Sequence, residues 1–182
     1  RRAMDTRPEL AAEAMRGVED MSRDAVAELR SMLGSLRDVQ DGGGLRTIQA
    51  LAALAEESSD AGLRVTYECV GDPAAAERLN PMQSSNLLRI AQESLSNARR
   101  HAYADCIRMM LVFGEAHVTL GVGDDGQGFL MPAQLSELTQ NGHFGLMGIT
   151  ERTELIGGRL YCESLPGRGT AIVVQAAYDA GP

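Results

Sequence analysis

Residues 92–102 read QESLSNARRHA and carry Glu93, Asn97 and His101 four residues apart. On a helix that spacing aligns an acid, an amide and an imidazole in one stripe. Leu87, Ala91, Leu95, Ala98 and Ala102 make an apolar side at spacings of three and four. Such groups can move a proton or hold a ligand, and a polar stripe can equally be solvated surface. Asparagine is a mediocre helix former, so a purely solvated position has better options.

Three further stretches carry chemistry of their own. GDDGQGF, residues 123–129, directly follows a strand pattern. Gly126 and Gly128 let backbone approach a ligand closely, and Asp124 at the strand end can accept hydrogen bonds. A calcium loop does not fit, because the alternating acids and the closing glutamate are missing; a plain turn is the other reading. In HFGLMGI, residues 143–149, Gly145 and Gly148 flank a helix start whose free N–H groups favour an anion. A simple loop-to-helix junction explains that pair equally well. GRGT, residues 167–170, taken alone is a hairpin turn.

The elements that must position these residues follow from hydrophobic periodicity. Residues 8 to about 40 form a helical pattern with a heptad seam through Met15, Val18, Ala25, Leu29, Met32, Leu36 and Val39, broken at Ser22. Residues 42–44, all glycine, are a flexible joint, dividing a helix over 1–41 from a mixed region over 45–182. That region reads as a helix over 45–57, a strand over 63–70 and a long helix over 80–101. Strands over 106–113 and 117–122 form a hairpin, followed by a Gly-rich segment over 124–141 with a turn of helix near Leu135. A helix over 146–156 then leads to a second hairpin, 159–165 with 170–177, through the turn at 166–169. Helices between hairpins predict an α+β fold, a two-layer sandwich with one sheet face covered.

Composition narrows the function. The net charge of −8 argues against nucleic-acid binding, and no apolar run approaches a membrane span. Cys69, Cys106 and Cys162 are scattered, which fits reduced, buried thiols in a cytoplasmic protein better than disulfides or a zinc site. All 17 basic residues are arginine. Without lysine, a Walker A loop, a protein-kinase strand lysine and Schiff-base chemistry are all excluded in their usual forms.

The order of the four stretches is more specific than any one of them. RIAQESLSNARRHA, DDGQGF, HFGLMGITERTELIGGRLYCES and PGRGT together resemble the ATP-binding (GHKL, or Bergerat) domain of sensor histidine kinases. The resemblance runs from about Leu45 to Ala177 and is nearest the nitrate- and desaturase-sensor subfamily. The helix over 1–41 then resembles the second helix of the dimerisation bundle.

The resemblance implies ATP and Mg²⁺ as cofactors. Asn97 would hold Mg²⁺, Glu93 would orient or deprotonate an attacking or metal-bound group, and Arg100 would supply charge to phosphate. His101 would belong to the wall of the ATP site. Asp124 would accept the adenine amino group, with Gly126 and Gly128 closing over the base and Thr170 adding a hydroxyl. Residues 130–144 would form the lid, and Gly145, Leu146 and Gly148 would bring helix N–H groups to the phosphates. Implied partners are a response regulator with a helix-turn-helix output and a second protomer through the N-terminal helix; membrane attachment would come only from upstream segments.

One feature departs from a complete kinase. The three histidines, His101, His117 and His143, all lie outside the N-terminal helix. Since the chain opens on Arg1, we expect a piece of a longer protein whose phosphoacceptor helix precedes it. The alternatives are a related anti-sigma serine kinase and a non-catalytic nucleotide-binding dimerisation module.

Overall fold

The computed structural model describes residues 44–60, 62–131 and 144–178. The expected N-terminal helix, the helical turn near Leu135, His143 and most of the Gly-rich segment lie outside the described residues. Helix α1 covers Gly44–Ser58 and strand β1 Arg64–Val70. A short 3₁₀ helix, Pro73–Arg78, precedes helix α2, Pro81–Asn97. Strands β2 (Cys106–Phe113) and β3 (His117–Asp124) come next, then helix α3 (Phe144–Leu155) and strands β4 (Arg159–Ser164) and β5 (Thr170–Ala177).

The five strands order as β1-β2-β3-β5-β4. Both expected hairpins are present, β2 with β3 and β4 beside β5, while β5 also closes antiparallel onto β3. The pairing that periodicity did not predict is β1 with β2, which is parallel, Arg64 facing Cys106 and Val70 facing Val112. Parallel neighbours require a crossover, and α2 supplies it. The crossover returns the chain to the Arg64 end of the sheet, where β3 finishes at Asp124 and β5 begins at Thr170. The end of α2, the end of β3 and the start of β5 are thereby gathered at one end of the sheet.

Alternation decides which sheet face is covered. Ile107, Met109, Leu111, Val118, Leu120, Val122, Ile172 and Val174 are buried, while Arg108, Met110 and Ala171 between them are exposed. Leu87, Ile90, Ala91 and Leu95 of α2, Leu51 of α1 and Ile149 of α3 complete that core. The two-layer α+β sandwich is the fold expected. Cysteine burial is less complete than expected: Cys106 is buried, but Cys69 and Cys162 are half-buried free thiols.

The start of α2 follows from its first four residues. Asn80 accepts from Gln83 N–H at 2.7 Å, the Gln83 side chain accepts from Asn80 N–H at 3.2 Å, and Pro81 fills the first turn. Gln83 is 2% exposed, and its amide donates to the Ala177 carbonyl at 2.7 Å, fastening α2 to the end of β5. Gln83→Ala removes the side-chain half of this reciprocal cap and the long-range bond together. We expect a loss of about 1–3 kcal/mol, read as a lower urea midpoint with an unchanged slope.

The end of α2 differs from expectation. Its α-helical bonding stops at Asn97, and Ala98–Ala102 forms a π-turn that ends at Tyr103 in the left-handed region, φ 52°. Bonds from i to i+5 widen the turn, so His101 does not continue the α-helical stripe of Glu93 and Asn97.

Candidate nucleotide-binding site

Asp124 terminates β3 at the gathered end, and one of its oxygens organises two segments. Oδ1 accepts the Gly126 N–H at 2.9 Å and the Thr170 N–H at 3.3 Å. Gly169, at φ +75°, leaves no room for a side chain, because a Cβ there would meet the Asp124 carbonyl. Burial pushes the Asp124 carboxyl up, and the two backbone N–H groups oppose that shift. The result is a half-buried carboxyl group whose Oδ1 is held by backbone from two segments.

Gly169→Ala combines left-handed strain with this backbone collision. Gly157→Ala carries the strain alone, since Gly157 also has positive φ (+61°) but faces open space. The control is expected to cost about 1–2 kcal/mol and Gly169→Ala about 2–4 kcal/mol. Thermal unfolding of the two variants measures the cost of close approach as their difference.

The loop after Asp124 clasps the π-turn. Gln127 N–H donates to the Ala102 carbonyl and its side-chain amide to the His101 carbonyl, both at 2.7 Å. Gly126 lies so near Ala102 that any Cβ would strike its carbonyl. Asp125 accepts from the N–H groups of Asp105 (3.0 Å) and Cys106 (2.9 Å), fixing the start of β2. On the far side, the Gln127 carbonyl accepts from Gly167 N–H at 2.6 Å, and the Ser164 hydroxyl accepts from Phe129 N–H at 2.9 Å and meets the Thr170 hydroxyl at 2.9 Å. Asp125, Gln127 and Ser164 were not singled out from the sequence. Asp125 and Gln127 sit inside the quoted motif, but their partners are distant in the chain.

Helix α3 meets α2 at Gly145. A Cβ on Gly145 would lie 2.5 Å from Glu93 Oε1 and 2.6 Å from both amide atoms of Asn97. Glu93 and Asn97 therefore converge on the first turn of α3, whose leading N–H groups carry positive potential. Gly148 faces open space, with nothing within 4 Å of an added Cβ. Leu146 points inward and is buried, so only its backbone is offered at this surface. Arg100 and His101 are exposed on the π-turn. Glu93, Asn97, Gly145, Asp124, Gly126, Gly128 and Thr170 thus fall into two clusters, joined by the π-turn between Asn97 and Ala102.

These features fit a nucleotide: a half-buried acceptor beside glycine backbone, a helix N-terminus with an open glycine, and two oxygen-bearing side chains at that terminus. Residues 82–179 match the family described as histidine kinase-, DNA gyrase B-, and HSP90-like ATPase. The chain belongs to this family, and ATP is the nucleotide that goes with its domain.

Its relatives are sensor histidine kinases. The signal transduction histidine-protein kinase/phosphatase DegS of Brevibacillus brevis is 28% identical over 167 residues, covering 91% of this chain and 41% of DegS. The sensor histidine kinase LiaS of Bacillus subtilis (strain 168) is 31% identical over 163 residues, covering 88% of this chain and 42% of LiaS. The chain thus spans about two fifths of the length of these two relatives. Among solved structures, the ATP binding domain of PrrB from Mycobacterium tuberculosis superposes with a TM-score of 0.53 at 20% identity, covering 72% of this chain and 93% of that one. No helix among the described residues is long and apolar enough to cross a membrane.

Proposed function

We propose that this chain is the catalytic region of a two-component sensor histidine kinase, which binds Mg-ATP and phosphorylates a histidine for relay to a response regulator. The observation that carries the reading is the convergence of Glu93 and Asn97 on Gly145 at the start of α3. Family membership supports the nucleotide, and the sensor-kinase relatives support the reaction class.

When bound, Mg-ATP supplies a transferable phosphoryl group and neutralises its developing charge. The chain's own residues bind and orient. Asp124 accepts from the adenine amino group with the oxygen not engaged by backbone. Gly126 and Gly128 set the loop beside the base by close approach to the backbone of Ala102, Leu165 and Gly169, and Thr170 adds a hydroxyl near it. Asn97 would hold Mg²⁺ through its amide oxygen, a hard ligand suited to that ion. Glu93, one turn earlier, orients or deprotonates the attacking group. Arg100 supplies fixed positive charge, and the α3 N-terminus, with Gly145 and Gly148, receives the phosphates. His101 contributes through its position on the π-turn. The catalytic demand is positioning more than covalent participation. The finer assignments, to a helix-turn-helix class of regulator and to a second protomer paired through the N-terminal helix, rest on the sequence resemblance. A cytoplasmic location is part of the same reading.

The test is transfer from γ-labelled ATP to a supplied helix carrying a histidine followed by an acid. We expect Mg²⁺-dependent, acid-labile label on that histidine and none on this chain by itself. Label on a serine of a partner would favour an anti-sigma kinase. Tight ATP binding with no transfer to any acceptor would favour a non-catalytic module.

A further inference from the structure

The sheet has two edges, and they are finished differently. At the β1 edge, Ser59 covers the backbone of one residue, Val65: its hydroxyl accepts from Val65 N–H at 2.9 Å and donates to the Val65 carbonyl at 3.1 Å. At the other edge lies β4, and among the described residues no strand lies beyond it. An edge strand presents unpaired N–H and C=O groups, which natural sheets usually cover or guard with charge that repels a second copy.

The charges on β4 do the reverse. Arg159, Tyr161 and Glu163 are exposed on one face, and Leu160 and Cys162 are half-buried on the other. Tyr161 is 52% exposed. Neither Arg159 nor Glu163 has an ion-pair partner among the described residues. The sequence Arg-Leu-Tyr-Cys-Glu is self-complementary when read antiparallel about its centre. With Tyr161 opposite Tyr161 of a second copy, Arg159 faces the second Glu163, Glu163 faces the second Arg159, and Leu160 faces Cys162. Directly opposed pairs of opposite charge and of aromatic rings both favour antiparallel pairing. The same register carries Leu165, itself 55% exposed, towards Gly157 of the second copy, where open space surrounds the glycine. A two-fold contact of this kind is isologous and closes on itself.

We propose that β4 is a homotypic docking edge, on which two copies of this chain pair antiparallel about Tyr161 into one continuous sheet. This contact is separate from association through the N-terminal helix and uses no residue assigned to the nucleotide.

Charge exchange on the full chain tests it. Arg159→Glu or Glu163→Arg alone sets like charges opposite each other twice per dimer. The combined Arg159→Glu/Glu163→Arg variant restores attraction in the same register. In sedimentation over a concentration series, we expect each single variant to weaken association at least tenfold relative to the parent. The combined variant should return to within about threefold of it. Circular dichroism and ATP binding should be unchanged in all three, because these side chains are exposed. As a second readout, Tyr161→Cys should form a covalent dimer on mild oxidation, since opposed residues of an antiparallel pair stand within disulfide range. Adding Arg159→Glu should suppress that cross-link. Unchanged association in the single variants, or failure of the combined variant to recover, overturns the proposal. So does cross-linking through residue 161 that ignores the charge at residue 159.

Discussion

Asp124→Ala is expected to weaken ATP binding by at least about 100-fold, roughly 2.7 kcal/mol, while the chain stays folded. The size follows from what is lost together. An ionised acceptor to the base is worth about 1.5–3 kcal/mol. The N–H groups of Gly126 and Thr170 also lose their shared acceptor, so the loop and the β5 start no longer share an anchor. Titration calorimetry at fixed Mg²⁺ gives the affinity, and unchanged affinity in the folded variant would remove Asp124 from the site.

Asp124→Asn separates charge from shape. In the wild-type chain burial raises the carboxyl's pKa, so the folded state holds that proton more tightly than the unfolded one. Stability contributed by this group is therefore present at low pH and declines as pH rises from the ordinary carboxylate range through the raised value. Near neutrality the ionised form costs the nucleotide-free protein stability. A neutral amide in its place removes that cost, so the Asp124→Asn variant is expected to melt higher without nucleotide and to bind ATP less well. Wild-type affinity should fall as pH is lowered through the raised pKa, and in Asp124→Asn that fall should flatten. An identical acid limb in both proteins would assign the titration to another group.

The second large effect comes from two glycines in one helix. Gly145→Ala places a methyl group 2.5–2.6 Å from the ends of Glu93 and Asn97. Those are flexible side-chain tips, so the helix can remain while they move. Their displacement removes the convergence on which metal and phosphate positioning depend. We expect Mg²⁺-dependent ATP binding to fall at least about tenfold, roughly 1.4 kcal/mol, and phosphoryl transfer to fall further, with near-normal stability.

Gly148→Ala meets no protein atom within 4 Å. In a helix it should gain about 0.5–1 kcal/mol, raising the melting temperature by about 2–4 °C per kcal/mol. Yet if the open side of Gly148 is where phosphate approaches, the same methyl group weakens nucleotide binding. A stabilised protein with weakened ATP affinity supports the assignment. A stabilised protein with undiminished affinity would mean that Gly148 is a helix glycine and no more.

Much of the framework is legible in the sequence. Alternation located β2 and β3, because one face of each is buried and the other is not. Glycine and proline located the hairpin turn at 166–169, because it demands positive φ at Gly167 and Gly169. The 3₁₀ helix Pro73–Arg78 and the parallel β1–β2 pairing were not read. The former has too short a periodic signal, and the latter depends on where a crossover of more than thirty residues, 71–105, returns the chain.

For the site, the sequence by itself determined the chemical inventory: a carboxylate and an amide one turn apart, an acid at a strand end, and glycines where backbone must come close. Side-chain type and local spacing carry that information. Only the tertiary structure decided how the inventory is joined. Bonding from i to i+4 and from i to i+5 leaves no distinct mark in composition, so the π-turn that parts His101 from the Glu93–Asn97 stripe was invisible. Gly145 read as one half of a phosphate cradle, and packing makes it the point on which Glu93 and Asn97 converge. Thr170 read as a lone hydroxyl, and its backbone N–H shares an Asp124 oxygen with Gly126 across 46 residues of chain. Such long-range bonds are set by sheet order, and sheet order is a property of the folded chain alone.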